Sequence, residues 1–317
     1  MGKISPKIHF HDEVKLKNIN PETMEYWKKY EMDMSLRELS ERTVSGYTND
    51  CEHWFIYIYD NQGNQSIKDL TEEDVTEFLY FCKTHGNNSR RIKRRMSSIS
   101  AFYIFLRKKR LIKENPMEFI SRPQKDTDIA VQTYLTKEQV ELMRQKLKED
   151  GNLDLELYAL FSLSTMARVN AVAHVRWDKI DFDGRVVNDV LEKEGKTVTL
   201  YFSDEVKELL LNLQKYRQEN NIDDGGWVFY SRFLDGVKPV ANGTLDQWCK
   251  KIGEMIDVPT LHCHDFRHSG ATLLKNAGMS LEDVSTLLNH SGTDVTRKFY
   301  IKVDATKISQ NKDKYKI

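Results

Sequence analysis

Four residues near the end of the chain carry side chains that could cleave a phosphodiester bond. His264 and Arg267 lie three positions apart, so on a helix both side chains lie on one face. His290 adds a hydrogen-bond donor and Tyr300 adds a phenol. Negative charge grows on the non-bridging oxygens of a phosphodiester during in-line displacement, and fixed donors stabilise it. The phenol oxygen of Tyr300 is the candidate nucleophile in such a displacement.

The sequence around these residues predicts consecutive short helices. Gly278 favours the end of the first helix, and Ser280 with Asp283 forms a capping box at the start of the second. We expect the second helix to end at His290 and a third helical segment to carry Tyr300. The apolar residues that predict the buried faces of the first two helices are Leu273, Leu274, Ala277, Leu281, Val284, Leu287 and Leu288.

Three short patterns in this region resemble a known signature. They are His264 to His268 (His-Asp-Phe-Arg-His), Leu287 to His290 (Leu-Leu-Asn-His) and Thr296 to Tyr300 (Thr-x-x-x-Tyr). Together they resemble the C-terminal signature of the tyrosine recombinases, the phage integrase family. The resemblance implies a site-specific recombinase that joins DNA to Tyr300 through a 3′-phosphotyrosyl bond. It implies no metal, no ATP and no other cofactor.

The family's site also uses an arginine after an apolar helix and a lysine on a β-hairpin. The apolar segment 157–165 leads to Arg168, which matches the family's first arginine. Two β-rich runs, 185–187 and 197–202, are bridged by residues 193–196, where Gly195 permits a positive φ. By resemblance Lys193 takes the lysine position and protonates the departing 5′-oxygen. Lys196 is the alternative, because one sequence does not fix the register of the hairpin.

The residue types suit these roles. Arg168 and Arg267 carry a permanent charge on a planar fork that matches phosphate oxygens. A tyrosine has a pKa of about 10, so Tyr300 must lose its proton as it attacks. His264 is the better candidate to assist that loss.

The chain departs from the family's pattern at several positions. Met166 stands where the family usually has glycine, and Ala171 stands where it has an acidic residue, which leaves Arg168 without its usual carboxylate partner. Asn289 also replaces glycine, a mild change because asparagine tolerates the left-handed conformation. One extra residue before Thr296 is expected to lengthen a turn.

Positive charge is concentrated in one stretch, although the 317 residues carry a net charge of zero. Between Lys83 and Lys113 there are eleven Lys or Arg and no Asp or Glu. The helical spacing of Ile92, Met96, Ile99, Tyr103 and Leu106 predicts the buried face of a helix. The opposite face, expected to carry Arg91, Arg94, Arg95 and Ser98, would meet DNA phosphates or simply be solvated. The predicted DNA contacts are Arg90, Arg91, Lys93, Arg94, Arg95, Arg107 and Lys108.

These elements predict a mainly α fold with a small antiparallel β-sheet, an α+β class, in two domains. Helical periodicity over 40–59 and a capping box at Thr71 indicate a helical bundle that resembles the family's SAM-like core-binding domain. The expected divisions are an extension (1–35), the core-binding domain (36–121), a linker (122–133), the catalytic domain (134–300) and a tail (301–317). In relatives such a tail docks on a neighbouring protomer.

Bulk composition is that of an ordinary soluble protein, with 39% hydrophobic residues. No apolar run approaches the roughly 20 residues of a membrane span, and four scattered cysteines suit reduced thiols, so we expect a cytoplasmic protein with no membrane partner. The resemblance implies double-stranded DNA with inverted half-sites as the partner. It also implies a homodimer on one site and a homotetramer in synapsis.

Other interpretations stay open from the sequence. Each site residue alone could be structural, as we expect for His268. The run His262-Cys263-His264 with His268 could hold zinc, and Tyr315 is a second phenol, without a preceding histidine. The chain could be a DNA-binding relative that has lost its chemistry, or a metal-dependent nuclease. Integration, transposition and chromosome-dimer resolution share this chemistry, and the target sequence is not legible.

Overall fold

A computed structural model describes residues 11–124, 134–192 and 195–289, and the chain divides into two compact units, Met1–Ala130 and Val131–Ile317. Lys193, His290, Tyr300 and the predicted tail lie outside the described residues. In the described ranges, no helix combines the length and the apolar character needed to cross a membrane.

The first unit is helical. Asn20, Ser40 and Asn88 cap its longer helices, and Thr71 forms the predicted capping box with Asp74. The elements are α1 (Glu13–Lys17), α2 (Pro21–Leu36), α3 (Glu41–Asn61), α4 (Glu72–Thr84) and α5 (Ser89–Lys108). All five apolar positions that predicted the buried face of α5 are buried.

Helix α2 belongs to the core of this unit, although it lies in the segment expected to be an extension. Trp27 and Tyr30 are buried, and their rings lie 5.2 and 5.1 Å from the ring of Phe102 on α5. Trp27 also meets Phe55 of α3 edge to face at 5.6 Å. Aromatic pairs at these distances stabilise a core beyond the area they bury. The described part of residues 1–35 therefore contributes to the bundle.

The second unit combines helices with two small antiparallel sheets, one of order β1-β2-β3 and one of order β4-β5. This arrangement confirms the predicted α+β class. The elements are α6 (Lys137–Asp150), α7 (Leu153–Thr165), α8 (Val169–Ala173), β1 (Ile180–Asp181), β2 (Val186–Leu191), β3 (Thr197–Tyr201), α9 (Asp204–Glu219), β4 (Tyr230–Phe233), β5 (Gly236–Pro239), α10 (Asn242–Met255), α11 (Cys263–Asn276) and α12 (Leu281–Leu287).

Helix α7 is the centre of this unit and is buried on nearly every side, because it is apolar all round. It packs against α9 and α11. Gly270 of α11 allows the close approach, since a Cβ at that position would lie 2.3 Å from the carbonyl oxygen of Leu163. The packing therefore fixes α11, which carries His264 and Arg267, against the C-terminal half of α7.

The predicted hairpin is present as β2 and β3, with Val187 opposite Leu200 and Leu191 opposite Thr197. The register shifts between Val187 and Val190. Gly195 in the connecting turn has a φ of 74°, as the sequence predicted. The end of β2 is thereby directed towards the segment that carries Arg168.

Candidate active site

Arg267 joins three segments of the second unit. Its guanidinium is buried, with the residue 3% exposed. Nη1 donates to the carbonyl oxygen of Met166 at 2.7 Å, and Nη2 donates to that of Leu288 at 2.6 Å. Met166 lies two residues before Arg168, and Leu288 lies two residues before His290. One side chain thus fixes α11 to the ends of α7 and α12, where the other predicted site residues follow.

Both of those helix ends use a left-handed residue, Met166 with a φ of 52° and Asn289 with a φ of 49°. The expectation that Asn289 accepts this conformation is confirmed. A side chain at such a φ costs about 1–2 kcal/mol. At Met166 the cost is offset by burial, because its side chain packs with Ala271, Val284 and Leu288.

Arg168 has no carboxylate partner at position 171, where Ala171 stands, but a carboxylate from another element contacts it. Arg168 Nη1 donates to Oε2 of Glu192, which follows β2 and is 8% exposed. Asn170 Nδ2 donates to the carbonyl oxygen of Glu192. The carboxylate comes from a different element because the hairpin lies beside the turn that precedes α8. The sequence spacing carried no signal for it.

His264 lies close enough to both arginines to sense their charges. The residue is exposed to solvent, yet partial desolvation of its imidazole lowers its pKa below the usual value. The positive charges of Arg267 and Arg168 lower that pKa further. The imidazole is therefore neutral at neutral pH and able to accept a proton.

The start of α11 is fixed by buried polar contacts. The hydroxyl of Tyr158 on α7 lies 3.1 Å from Sγ of Cys249 and 3.2 Å from Sγ of Cys263. Cys263 also donates to Asp246 at 3.0 Å, and the hydrogen bond from Cys249, with burial, raises the pKa of the Cys263 thiol. The thiol is held in the core as a protonated group.

The zinc interpretation of this region has no geometric support in the described part of the chain, where no three His, Cys, Asp or Glu side chains are placed to share a metal ion. His268, 8% exposed, meets the ring of His264 edge to face at 4.6 Å, in keeping with the structural role expected for it.

The structure thus brings Arg168, His264 and Arg267 together on the ends of α7 and α11. The predicted roles of Lys193, His290 and Tyr300 fall outside the described residues and stay predictions. Lys196, the alternative to Lys193, directly precedes β3, and its carbonyl accepts from the Glu192 N–H at 2.8 Å.

In the first unit, the predicted DNA-facing surface of α5 needs one correction. Arg95 and Ser98 are 3% and 1% exposed, so they do not lie on the solvent face. Arg95 Nε donates to Asn87 at 3.0 Å, and its guanidinium lies over the ring of Phe78. The guanidinium of Arg95 is therefore buried together with its stem, and the charge pattern of the sequence carried no sign of this.

Asp50 holds two other basic residues of α5, Arg91 and Arg94, and sequence analysis missed it. It is fully buried on α3, where it pairs with Arg91 at 3.0 Å and Arg94 at 3.4 Å and accepts from Ser98 at 2.9 Å. A buried carboxylate needs such partners. The only sequence signal was an acidic residue among the inward positions of α3.

The predicted contacts Arg90, Arg94, Arg107 and Lys108 are exposed, and Arg91 and Lys93 are half-buried.

Comparison with known proteins agrees with this architecture. A model described as the phage integrase family matches residues 133–307. The chain belongs to the phage integrase family. A model for the phage integrase N-terminal SAM-like domain matches residues 28–110. Both matches confirm the resemblance stated from the sequence motifs.

Relatives cover most of this integrase-family chain. Tyrosine recombinase XerC of Pediococcus pentosaceus is 27% identical over 294 residues, covering 88% of this chain and 93% of the relative. Tyrosine recombinase XerD of Oceanobacillus iheyensis is 27% identical over 276 residues, covering 83% and 88%.

Two solved structures share the fold. The Tn1549 transposon integrase in complex with transposon right-end DNA has a TM-score of 0.68 at 18% identity and covers 92% of this chain and 99% of that one. A lambda integrase dimer bound to a COC′ core site has a TM-score of 0.67 at 16% identity and covers 89% and 96%. At these identities the likeness concerns the fold.

Proposed function

We propose that the protein is a site-specific tyrosine recombinase that cuts and rejoins DNA strands through a covalent bond to Tyr300. The observation that carries the proposal is the convergence of Arg168, His264 and Arg267, within a chain of the phage integrase family. Two guanidinium groups and a neutral imidazole form a set suited to a phosphodiester in which charge develops on the oxygens.

In the proposed mechanism, Arg168 and Arg267 stabilise the non-bridging oxygens and His264 accepts the proton of the Tyr300 hydroxyl as it attacks phosphorus. The bond to the 5′-oxygen breaks, and Lys193 donates a proton to that leaving group. The phosphotyrosyl bond conserves the energy of the phosphodiester. A 5′-hydroxyl from another strand can therefore reverse the reaction without ATP.

The partner in this proposal is double-stranded DNA with inverted half-sites, bound by a dimer that pairs with a second dimer in synapsis. Solved relatives support DNA binding and assembly, since they include a lambda integrase dimer on a core site and a tetramer bound to a Holliday junction. We place this activity in the cytoplasm. The activity would serve integration or excision, transposition or dimer resolution, and the relatives include tyrosine recombinases XerC and XerD and the Tn1549 transposon integrase.

Covalent capture tests the proposal even though the target sequence is not defined. The protein is incubated with nicked fragments of its host's DNA in excess EDTA, and DNA that stays attached in denaturant is sequenced. We expect captured ends that share inverted repeats around a short spacer. No covalent DNA, or capture only after a divalent metal is added, would reject the recombinase mechanism in favour of lapsed chemistry or a metal-dependent nuclease.

The lowered pKa of His264 predicts the pH dependence of cleavage. Because the neutral imidazole is the active form, cleavage at sub-saturating DNA should fall only below the usual histidine pKa of about 6.5 as the pH decreases. The rate is measured from about pH 5 to about pH 8. His264→Asn should slow cleavage and remove the fall in rate at acidic pH. His262→Asn keeps a capping side chain before α11, so the rate should still fall at acidic pH. If that fall disappeared in His262→Asn, His264 would not be the group that accepts the proton.

The exposure of α5 residues predicts two different mutant phenotypes. Arg90→Gln should weaken DNA binding and reduce the slope of log affinity against log salt by about 0.9, because one exposed phosphate contact is lost. Arg95→Gln should leave that slope unchanged and lower the unfolding temperature, because its guanidinium is buried. Fluorescence anisotropy at several salt concentrations and thermal unfolding measure the two effects. A reduced salt slope in Arg95→Gln would show that Arg95 contacts DNA phosphates.

A further inference from the structure

Glu192 is a buried carboxylate placed directly behind an arginine of the candidate active site. Its Oε2 accepts from Arg168 Nη1, and its backbone carbonyl accepts from Asn170 Nδ2. Its N–H donates to the carbonyl of Lys196 at 2.8 Å, which continues the pairing of the hairpin. Glu192 therefore holds the turn before α8 and the end of β2 in one place.

We propose that Glu192 is the positioning residue of Arg168 and that it takes the place of a carboxylate on α8 itself. The inference rests on the proposed recombinase function. The α8 position one turn after Arg168 is Ala171, which is buried and offers only a methyl group. Glu192, which follows β2 of the hairpin, contacts the Arg168 guanidinium instead.

The buried carboxylate of Glu192 forms an ion pair with Arg168. The residue is 8% exposed, and its Oε1 is buried with no hydrogen-bond partner among residues 11–124, 134–192 and 195–289. A buried carboxylate without compensation is strongly unfavourable, and Arg168 supplies the opposite charge. In return, the carboxylate fixes one edge of the guanidinium. Arg168 remains 35% exposed, so other N–H groups of its fork can face a phosphate.

The position of Glu192 gives the ion pair a second consequence. Glu192 directly precedes Lys193, the predicted proton donor. The contacts of Arg168 and Asn170 therefore anchor the chain immediately before that lysine. Glu192 thus links Arg168, which stabilises the transition state in the proposed mechanism, to the segment with Lys193, which protonates the leaving oxygen.

Glu192→Gln tests the proposal because it keeps the shape of the side chain and removes its charge. With saturating protein on nicked DNA, we expect the single-turnover cleavage rate to fall by about 10-fold or more, but by less than the roughly 10²–10³-fold cost of losing a donor itself. The dissociation constant for DNA should change by less than about twofold, since the Glu192 side chain is buried. Glu192→Asp, which keeps the charge on a shorter stem, should recover part of the rate.

Asp189→Asn is the matched control. It removes the same charge from β2, where Asp189 is exposed and pairs with Lys179 at 3.3 Å, and asparagine tolerates its φ of 53°. Its cleavage rate should equal that of the wild type. In an Arg168→Ala background, Glu192→Gln should cause no further loss. If the rate losses caused by Arg168→Ala and Glu192→Gln multiply in the double variant, the proposal is overturned. A wild-type cleavage rate in Glu192→Gln alone would also overturn it.

Arginine side-chain NMR separates this inference from the proposed function. The Arg168 Nη signals, assigned with Arg168→Lys, should show hindered rotation in the wild type and free rotation in Glu192→Gln. Equal mobility in both proteins would overturn the positioning role even if DNA is cleaved. A wild type that cleaves no DNA but shows the hindered signals would overturn the recombinase function and support the positioning of Arg168 by Glu192.

Discussion

Tyr300→Phe is expected to abolish the covalent protein–DNA complex completely while DNA binding stays within about twofold of the wild type. The variant removes a single oxygen, the atom that we propose attacks phosphorus. The neighbouring Phe299 has no hydroxyl. Denaturing gels on nicked DNA measure the covalent complex, and anisotropy measures binding.

Tyr315→Phe is the matched control, because it makes the same change at the other phenol near the end of the chain. It should form the covalent complex at the wild-type rate. Peptide mapping of the wild-type adduct should place the nucleotide on Tyr300. If the covalent complex persists in Tyr300→Phe and disappears in Tyr315→Phe, Tyr315 is the nucleophile. The roles proposed for the other site residues would be unchanged.

Local features of the fold could be predicted from the sequence because they depend on nearby residues. The capping box at Thr71, the cap at Ser280 and the glycine turn at Gly195 are each decided within four residues. Periodicity likewise predicted the buried face of α5. The left-handed conformation of Asn289 followed from the same local reasoning, since few residue types accept it.

The α5 charge pattern shows where this reasoning failed. A helical wheel assigns every arginine to the polar side, yet Arg95 is in the core and Arg91 and Arg94 pair with the buried Asp50 of α3. The Asp50 contacts join residues more than forty positions apart, and no periodicity records them. Glu192 was missed for the same reason, because its partner Arg168 lies on another element.

Arg267→Ala is expected to combine a large loss of activity with a large loss of stability. The buried guanidinium donates to the carbonyls of Met166 and Leu288, and each carbonyl left unsatisfied costs about 1–3 kcal/mol. We therefore expect the free energy of unfolding to fall by at least about 2 kcal/mol in urea denaturation. Cleavage should slow by roughly 10²–10³-fold or more, as for the loss of a transition-state donor.

Arg168→Ala combined with Glu192→Gln is the comparison that separates the two effects, since it removes the charge of the buried carboxylate together with its partner and leaves both carbonyls bonded. It should slow cleavage to a similar extent with a smaller change in unfolding free energy. Arg267→Lys keeps a charge but lacks the planar fork, so one ammonium cannot span two carbonyls on separate helix ends with the same geometry. Its stability should lie between those of the wild type and Arg267→Ala. If Arg267→Ala slowed cleavage without destabilising the fold, the guanidinium would act on DNA alone, and the junction of α7, α11 and α12 would depend on the packing of Met166 and Leu288 instead.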